Sequence, residues 1–295
     1  MNKHLRCPLC AHENLTFKFS TKDYFLTGEE FDVHQCGFCG LQITNPFPDD
    51  LASIAYYQSQ NYYSHPGKSM NPLALIYQLI RRWNVASKTR LLKKYCDSGN
   101  ILDIGAGSGS FLESCQNAGF SVMGIEKDQN ARNYCSTRMG LHVISPEHDS
   151  QIDESSQDAI TLWHVLEHIH DLHDNIEKIK LWMKPGAYLV LALPNPESPD
   201  ALFYGKYWAG WDVPRHLYHF SSDTMRFLGK RNNLRLVNIV PMRWDAFYVS
   251  ILSEQYRGKS LTALRGLYHG LKSNFKAESC GNFSSLIYVF QKPEN

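Results

Sequence analysis

A glycine-rich turn near the middle of the sequence limits most strongly how this chain of 295 residues can fold. Three glycines, Gly105, Gly107 and Gly109, follow a mainly apolar run at residues 101–104. A buried strand, a glycine turn and a helix, in that order, are typical of the first cofactor crevice of an open parallel sheet. The pattern therefore predicts an α/β fold with a strand over 100–104 and a helix over 109–118.

Two acidic residues beside this turn indicate which cofactor it binds. Asp103 lies two positions before Gly105, and Glu126 ends a second predicted strand over 121–126. The dinucleotide fingerprint G-x-G-x-x-G requires a glycine at position 110, where this chain has Ser110. An acid beside a pyrophosphate gains little, but it can bind an ammonium or sulfonium group. These features favour S-adenosylmethionine over NAD, with Glu126 binding the ribose hydroxyls.

Four of the eight cysteines form two C-x2-C pairs, Cys7 with Cys10 and Cys36 with Cys39. Two such pairs can surround a Zn²⁺ ion tetrahedrally and leave no open position, so we expect one structural zinc ion. Residues 15–19 and 30–34 alternate between apolar and polar, as hairpin strands do. A redox dithiol is the alternative, although it usually has one C-x-x-C in a βαβ unit. The other four cysteines are isolated and are expected to be partly buried: Cys96, Cys115, Cys135 and Cys280.

The overall charge and hydropathy exclude several other classes of protein. Thirty basic and 29 acidic residues give a net charge of +1, which argues against nucleic acid as a partner. A hydrophobic content of 43% is enough for a large core. No apolar run approaches the ~20 residues that span a bilayer, and the N-terminus has no secretory signal pattern. We therefore expect a cytoplasmic protein in a reducing setting.

Residues 101–109 resemble motif I of the class I S-adenosylmethionine-dependent methyltransferases, and Glu126 matches the ribose-binding acid of that family. Other segments resemble a bacterial subgroup in which a zinc ribbon precedes the methyltransferase domain; they are 163–168, 181–186, 193–196 and 214–220. The resemblance implies a Rossmann-like, mostly parallel seven-stranded sheet with helices on both faces and a reversed last strand. The candidate cofactor-binding residues are Asp103, Gly105, Ala106, Gly107, Gly109, Glu126 and His164.

Three segments follow from these patterns. We expect a zinc ribbon over 1–48, a helical linker or cap over 49–98, and a methyltransferase domain over 99–295 with a helical insertion near 247–275. The linker includes a predicted helix over 72–95 with a basic surface at 81–94, which is either a solvated face or a docking surface for phosphate groups. The remaining strands are predicted at 141–144, 158–163, 187–193, 234–240 and 284–291, and the remaining helices at 129–139, 173–183 and 222–231.

Histidines are concentrated after the fourth strand of the predicted sheet. His164, Glu167 and His168 would share one face if this segment were helical, and could then hold a divalent metal ion. Ubiquinone-biosynthesis O-methyltransferases, which the chain resembles here, bind such a metal with an E-x-x-E-H run, but the first position in this chain is His164. Two further interpretations stay open: Glu167 and His168 organise the turn by hydrogen bonds, or they act directly in catalysis.

The segment 214–220 follows an aromatic run and is a candidate acceptor site. Arg215 would bind a carboxylate or phosphate of the acceptor, and His216 is the first candidate for the general base, before His168. Alternatively, the aromatic residues only pack this loop against the domain. The sequence thus predicts methyl transfer to an oxygen or carbon atom of a small molecule, sugar-like or phosphate-bearing. An NAD-dependent oxidoreductase and a zinc-ribbon methyltransferase acting on nucleic acid are the alternatives.

Overall fold

The computed structural model describes residues 1, 3, 6–57 and 83–294. The chain forms two compact units. Unit 1 contains Met1–Ser59, His164–Ile176 and Leu191–Val289, and unit 2 contains Gln60–Trp163, Glu177–Val190 and Phe290–Asn295. Residues 83–92 are helical, and the rest of the helix predicted over 72–95 lies mainly outside the described residues.

Strands and helices alternate through most of the chain. The strands are β1 (Leu15–Lys22), β2 (Glu30–Cys36), β3 (Gln42–Asn45), β4 (Asn100–Ile104), β5 (Ser121–Ile125), β6 (Val143–Ile144), β7 (Gln157–Trp163), β8 (Met183–Pro194), β9 (Tyr218–His219), β10 (Arg235–Pro241) and β11 (Ser285–Gln291). The helices are α1 (Asp50–Ser53), α2 (83–92), α3 (Ser110–Asn117), α4 (Gln129–Met139), α5 (Leu172–Trp182), α6 (Pro199–Tyr204), α7 (Ser222–Arg231), α8 (Asp245–Tyr256) and α9 (Thr262–Cys280).

The larger sheet has seven strands in the order β10-β11-β8-β7-β4-β5-β6. It is mostly parallel with an antiparallel last strand, which confirms the predicted Rossmann-like fold class. In unit 2, β4 pairs in parallel with both β5 and β7. Ile101 and Leu102 of β4 are fully buried, as expected for a central strand of a parallel sheet covered on both faces.

The strands and helices predicted from residue 100 onward occur within four residues of their expected limits. The largest difference is at β8, which begins at Met183 instead of 187. The segment 184–186 was expected to lie between α5 and this strand, but it is part of the strand. Hydrogen bonding explains the longer strand, because the Gly186 amide donates to the Lys292 carbonyl over 3.1 Å.

A smaller antiparallel sheet in unit 1 has the order β1-β2-β3-β9. The predicted hairpin strands at 15–19 and 30–34 lie within β1 and β2, which pair with one register shift between Phe17 and Phe19. Strand β9 comes from the segment 214–220, and its Tyr218 pairs with Ile43 of β3. The first 48 residues and Leu191–Val289 therefore belong to one compact unit. The predicted domain limits at 48 and 98 stay a prediction.

Helices α8 and α9 form a hairpin over the segment that was expected to be helical near 247–275, and they extend beyond it at both ends. Two glycines of α9 allow the helices to approach closely. A Cβ atom on Gly266 would lie 2.5 Å from Ile251 Cα, and one on Gly270 would lie 2.9 Å from Phe247 Cα. In the part of the chain that the structure describes, no helix combines the length and the hydropathy needed to cross a bilayer.

Candidate functional site

The glycine turn in unit 2 connects β4 to α3. Gly105, Gly107 and Gly109 all have positive φ angles, of 77°, 52° and 72°. At Gly109 packing also excludes a side chain, because a Cβ atom would lie 2.8 Å from both Cys135 Sγ and Leu141 Cδ1. Gly109 is therefore required for the contact between the turn and its neighbours, independently of any ligand.

Gly107 has a different environment. A Cβ atom there would have only the Gly105 carbonyl oxygen near it, at 4.0 Å, so space is open beside this residue. The Gly107 amide donates to Glu126 Oε2 over 2.7 Å, and the Asp128 amide donates to Glu126 Oε1 over 2.8 Å. An open backbone beside a fixed carboxylate is what a nucleoside with two ribose hydroxyls requires, so these residues fit S-adenosylmethionine.

Asp103 is buried in β4, with 2% of its surface exposed, and the Thr161 hydroxyl donates to its Oδ1 over 2.5 Å. Burial raises the pKa of Asp103 to about 7, although Thr161 and Lys88 act in the opposite direction. The Lys88 ammonium lies 4.4 Å from the centre of the Trp163 ring. Sequence patterns did not reveal Thr161 or Lys88. The proposed contacts with the cofactor all stay predictions; the residues are Asp103, Gly105, Ala106, Gly107, Gly109, Glu126 and His164.

The four predicted zinc ligands lie together in unit 1. Cys7 Sγ is 3.5 Å from Cys39 Sγ, Cys10 Sγ is 3.5 Å from Cys36 Sγ, and all four sulfur atoms lie within 4.8 Å of one another. Zn–S bonds of about 2.3 Å in a tetrahedron place the sulfurs about 3.8 Å apart. The donor set and the spacing fit a structural zinc ion.

A second group of titratable residues in unit 1 is here named the acid–histidine cluster; it comprises His164, Glu167, His168, Asp212, His216 and Asp245. The segment 164–168 is not α-helical, so the shared helical face that His164, Glu167 and His168 would have had in a helix does not form. His164 has a left-handed backbone with φ of 58°, and only Leu166–His168 form a short 3-10 turn. The ligand atoms that lie within 4.8 Å of one another belong to Glu167, His168 and His216, so His216 replaces His164 in the possible metal set.

Glu167 lies at the centre of the cluster. Its side chain is 1% exposed, and neither carboxylate oxygen has a hydrogen-bond partner among the described residues. Its Oε1 lies 3.6 Å from His164 Nδ1 and 3.9 Å from His216 Nε2. Burial raises the pKa of Glu167, but the surrounding histidines outweigh burial and lower it overall. The cluster therefore contains a buried carboxylate anion.

Two of the three histidines of the cluster, His216 and His168, are oriented by backbone carbonyls. His216 Nδ1 lies 2.9 Å from the Gly210 carbonyl, and His168 Nδ1 lies 2.9 Å from the Arg215 carbonyl. Because a carbonyl only accepts, each Nδ1 carries the proton, and Nε2 of the neutral ring carries the lone pair. His216 Nε2 also lies 3.9 Å from Asp212 Oδ2. The carboxylates of Glu167 and Asp212 therefore both lie near the lone pair of His216 Nε2.

His168 and His164 differ in charge. Burial and the nearby His216 lower the pKa of His168 to about 4, so this ring is neutral at physiological pH. Burial also lowers the pKa of His164, but the nearby carboxylates of Asp245 and Glu167 outweigh burial and raise it to about 9. The distance from His164 Nε2 to Asp245 Oδ2 is 3.2 Å. His164 is therefore an imidazolium between two carboxylates.

The expected role of Arg215 in binding the acceptor is wrong, because its guanidinium is buried and already paired. Nη2 donates to Asp23 Oδ1 over 2.8 Å and to Asp212 Oδ1 over 2.7 Å, and Nη1 donates to the Tyr56 carbonyl. Arg215 thus ties Asp212 to the turn that follows β1. The Thr44 hydroxyl of β3 donates to the His216 carbonyl over 2.7 Å. The smaller sheet, β1-β2-β3-β9, is named the ribbon sheet. It therefore fixes the loop that carries His216.

Comparison with known proteins identifies the family. Residues 76–239, more than half of the chain, match the model of the family described as "Methyltransferase domain". The chain belongs to this family. It contains a methyltransferase domain. An NAD-dependent oxidoreductase, the alternative drawn from the glycine turn, is not favoured.

Two relatives are similar over part of the methyltransferase. A ubiquinone biosynthesis O-methyltransferase from Hydrogenovibrio crunogenus is 29% identical over 106 residues, which cover 34% of this chain and 44% of the relative. An enzyme of the same name from Paraburkholderia phymatum is 26% identical over 168 residues, which cover 55% of this chain and 69% of the relative. The chain thus spans less than half the length of the first relative.

Solved structures agree on the fold. One chain of the complex between the Haloferax volcanii Trm112 methyltransferase activator and a methyltransferase is 17% identical, with a TM-score of 0.51; the match covers 72% of this chain and 91% of that chain. The [4+2]-cyclase SpnF is 15% identical, with a TM-score of 0.50, and the match covers 71% and 81%. At these identities the likeness extends to the fold alone.

Proposed function

We propose that this methyltransferase transfers a methyl group to a hydroxyl oxygen of a small-molecule acceptor, and that His216 removes the hydroxyl proton. The observation that carries the proposal is the orientation of His216. Its Nδ1 is held by the Gly210 carbonyl, so the lone pair of Nε2 is available for a proton. The names of the two relatives, which are O-methyltransferases, support oxygen as the acceptor atom.

S-adenosylmethionine supplies a methyl group that a nucleophile can displace from a sulfonium. The protein then has two tasks, which are to align the acceptor oxygen and to take up its proton as the new C–O bond forms. His216 Nε2 would accept this proton and become an imidazolium. Glu167 and Asp212, each 3.9 Å from Nε2, would stabilise that positive charge.

A divalent cation bound by Glu167, His168 and His216 is a second candidate for activating the hydroxyl. The two unpartnered oxygens of Glu167 favour it, since buried carboxylates normally have partners. The hydrogen bonds from each Nδ1 to a backbone carbonyl also resemble the support that metal-binding histidines receive. The residues present thus fit such an ion, which would lower the pKa of a bound hydroxyl.

We further infer one structural zinc ion at Cys7, Cys10, Cys36 and Cys39, and a reducing, cytoplasmic setting for the protein. All eight cysteines are unpaired, as is usual in that compartment. The near-neutral net charge supports a small-molecule acceptor over nucleic acid.

The proposal can be tested with the full chain, methyl-labelled S-adenosylmethionine and a metabolite extract. Mass spectrometry of the labelled product identifies the acceptor and the atom that is methylated. With that acceptor, His216→Gln should slow transfer by at least about 100-fold. The thermal shift produced by S-adenosylhomocysteine should be unchanged, because the glycine turn is intact. Substitution of an exposed histidine in α5, His173→Gln, is the matched control.

Three outcomes test the acceptor atom, the role of His216 as the base and the alternative of a divalent cation. Label on carbon or nitrogen would refute the proposed oxygen acceptor. Unchanged turnover in His216→Gln would remove His216 from the proton transfer. Loss of turnover on treatment with a chelator, restored by Mg²⁺ or Mn²⁺ while the zinc content stays constant, would select the cation over direct base catalysis.

A further inference from the structure

Helix α9 packs on α8 with one face and presents a second apolar face on the opposite side. The face against α8 consists of small residues, which are Gly266, Gly270, Ser273 and Ala277. The opposite face has large apolar side chains that are exposed within unit 1: Leu264, Leu267, Tyr268, Leu271 and Phe275. Leu271 is 63% exposed and Phe275 is 81% exposed. This second face is named the α9 stripe.

Helical geometry makes the α9 stripe continuous. At ~100° per residue, its five members fall within an arc of about 100°. A single exposed leucine needs no explanation, but a contiguous row of large apolar side chains usually marks a binding surface. The stripe points away from α8, so the hairpin itself does not cover it.

The charges around the stripe identify the partner. Between residues 257 and 277 the sequence has five basic residues and no acidic one; the basic residues are Arg257, Lys259, Arg265, Lys272 and Lys276. Lys272 and Lys276 directly follow Leu271 and Phe275, so they lie along one border of the stripe. Arg257 and Arg265 pair with the buried Glu254, whereas the three lysines form no salt bridge with the described part of the chain. The surface is therefore both apolar and cationic.

The tip of the α8–α9 hairpin is also apolar and cationic. Leu261, next to the basic Lys259, is 70% exposed and has a left-handed backbone with φ of 57°. This conformation is unfavourable for a leucine. The hairpin thus exposes a large apolar side chain at its tip, three positions before Leu264, the first member of the α9 stripe.

We propose that α9 and the tip of the hairpin bind the surface of an anionic lipid bilayer. An amphipathic helix with leucines and aromatic residues on one face and lysines beside them lies in the headgroup region, where apolar burial and attraction to anionic lipid add together. A second copy of the chain fits less well. A two-fold contact through the stripe would bring both sets of lysines to one interface that has no acidic residue of α9 to neutralise them before Glu278.

Cosedimentation with vesicles tests this proposal on the full chain. The protein should sediment with phosphatidylcholine vesicles that contain phosphatidylglycerol, and not with phosphatidylcholine alone. Leu271→Asp with Phe275→Asp should reduce the bound fraction at least about tenfold. Lys272→Glu with Lys276→Glu should reduce it by a similar factor, since each basic residue near an anionic surface contributes about fivefold.

Matched controls are available on other helices. Leu51→Asp changes a leucine in α1 that is 81% exposed, and Lys230→Glu with Arg231→Glu makes the same change in net charge at the end of α7. Both control variants should bind vesicles like the original protein. All variants should keep the thermal shift with S-adenosylhomocysteine, which shows that they fold.

The proposal is overturned if the protein does not bind the anionic vesicles, or if the α9 variants bind as well as the controls. It is also overturned if sedimentation equilibrium shows a dimer that Leu271→Asp converts to a monomer, because the stripe would then belong to a second copy. Since none of these measurements requires the methyl acceptor, they fail independently of the proposed catalytic role of His216.

Discussion

Glu167 is unusual at the scale of single residues, because its buried carboxylate has histidines around it and no hydrogen-bond donor at either oxygen among the described residues. Attraction to the charged His164 ring therefore helps to keep Glu167 ionised. The same interaction acts on His164, whose pKa of about 9 depends on Asp245 and on Glu167. A change at Glu167 should consequently be measurable at His164.

We predict that Glu167→Gln lowers the pKa of His164 by about one unit or more, because an opposite charge in close contact is removed. Titration of the imidazole resonances by NMR measures this shift directly and needs no substrate. Glu154→Gln, on the exposed surface, should leave the His164 resonance unchanged. An unaltered His164 titration in Glu167→Gln would show that Asp245 alone maintains the charge.

Gly109 and Gly107 of the glycine turn should respond differently to substitution by alanine. Gly109→Ala places a methyl group 2.8 Å from Cys135 Sγ and Leu141 Cδ1 in a left-handed backbone, so we expect it to lower the free energy of unfolding by about 2–4 kcal/mol. Gly107→Ala has only the backbone penalty, of about 1–2 kcal/mol. Its methyl group enters the open space, so it should instead abolish the thermal shift with S-adenosylhomocysteine.

Denaturant unfolding measures the loss of stability in Gly109→Ala. Ligand-dependent melting measures the loss of S-adenosylhomocysteine binding in Gly107→Ala. Gly119→Ala is the control for backbone strain, since Gly119 has a φ of 95° and an added methyl group there would contact none of the described residues. If Gly107→Ala kept full binding of S-adenosylhomocysteine, the ligand would not approach the turn at this residue.

At the scale of structural elements, the ribbon sheet and the loop 212–219 support each other. Strand β9 extends the sheet, Thr44 of β3 bonds to the His216 carbonyl, and Asp23 after β1 pairs with Arg215. We propose that zinc, by fixing the two C-x2-C turns, maintains this arrangement. The ribbon would then be a positioning element for His216.

We predict one zinc ion per chain by elemental analysis, and its loss in Cys36→Ser. The exposed Cys280 provides the matched control, so Cys280→Ser should retain one zinc ion. The His216 imidazole resonance should shift in Cys36→Ser but not in Cys280→Ser. A full zinc content in Cys36→Ser would refute the four-cysteine site.

The elements that the sequence predicted well are those whose signal is local. The strands β4, β5 and β7 are short apolar runs before turns, and the glycine turn and the cysteine pairs have characteristic spacings. Strand β9 was not predicted, because it has only two residues and forms through pairing with a strand about 175 positions earlier. Such pairing depends on tertiary structure and leaves no periodicity in the sequence.

The same distinction applies to the site. His164, Glu167 and His168 were found together because they are neighbours in the sequence, but spacing alone did not decide between a helix and the turn that the structure shows. The contact of Glu167 with His216 depends on a long-range hydrogen bond from the Leu217 amide to the Glu167 carbonyl. Likewise, Asp23 lies 192 positions from Arg215, so its role as the partner of that guanidinium could not be read from spacing.

At the scale of the whole molecule, buried histidines make the stability depend on pH. Burial, with repulsion from His216, lowers the pKa of His219 to about 3 from an ordinary value of 6.5. The unfolded chain therefore takes up a proton at His219 as the pH falls through 6.5, whereas the folded chain does not until about pH 3. Since the unfolded state binds more protons in this window, the free energy of unfolding falls as the pH falls.

We therefore predict that His219→Gln loses less stability on acidification than the original protein, by up to about 3 kcal/mol at about pH 4. Glutamine keeps a polar group near Thr44, which lies 3.2 Å from His219 Nε2, but it does not titrate. Urea unfolding at a series of pH values measures the difference. Release of zinc by acid affects both proteins equally and cancels when the two curves are subtracted. Parallel curves between pH 6.5 and about pH 4 would show that His219 is protonated in the folded protein at its ordinary pKa, so that its burial does not exclude the charge.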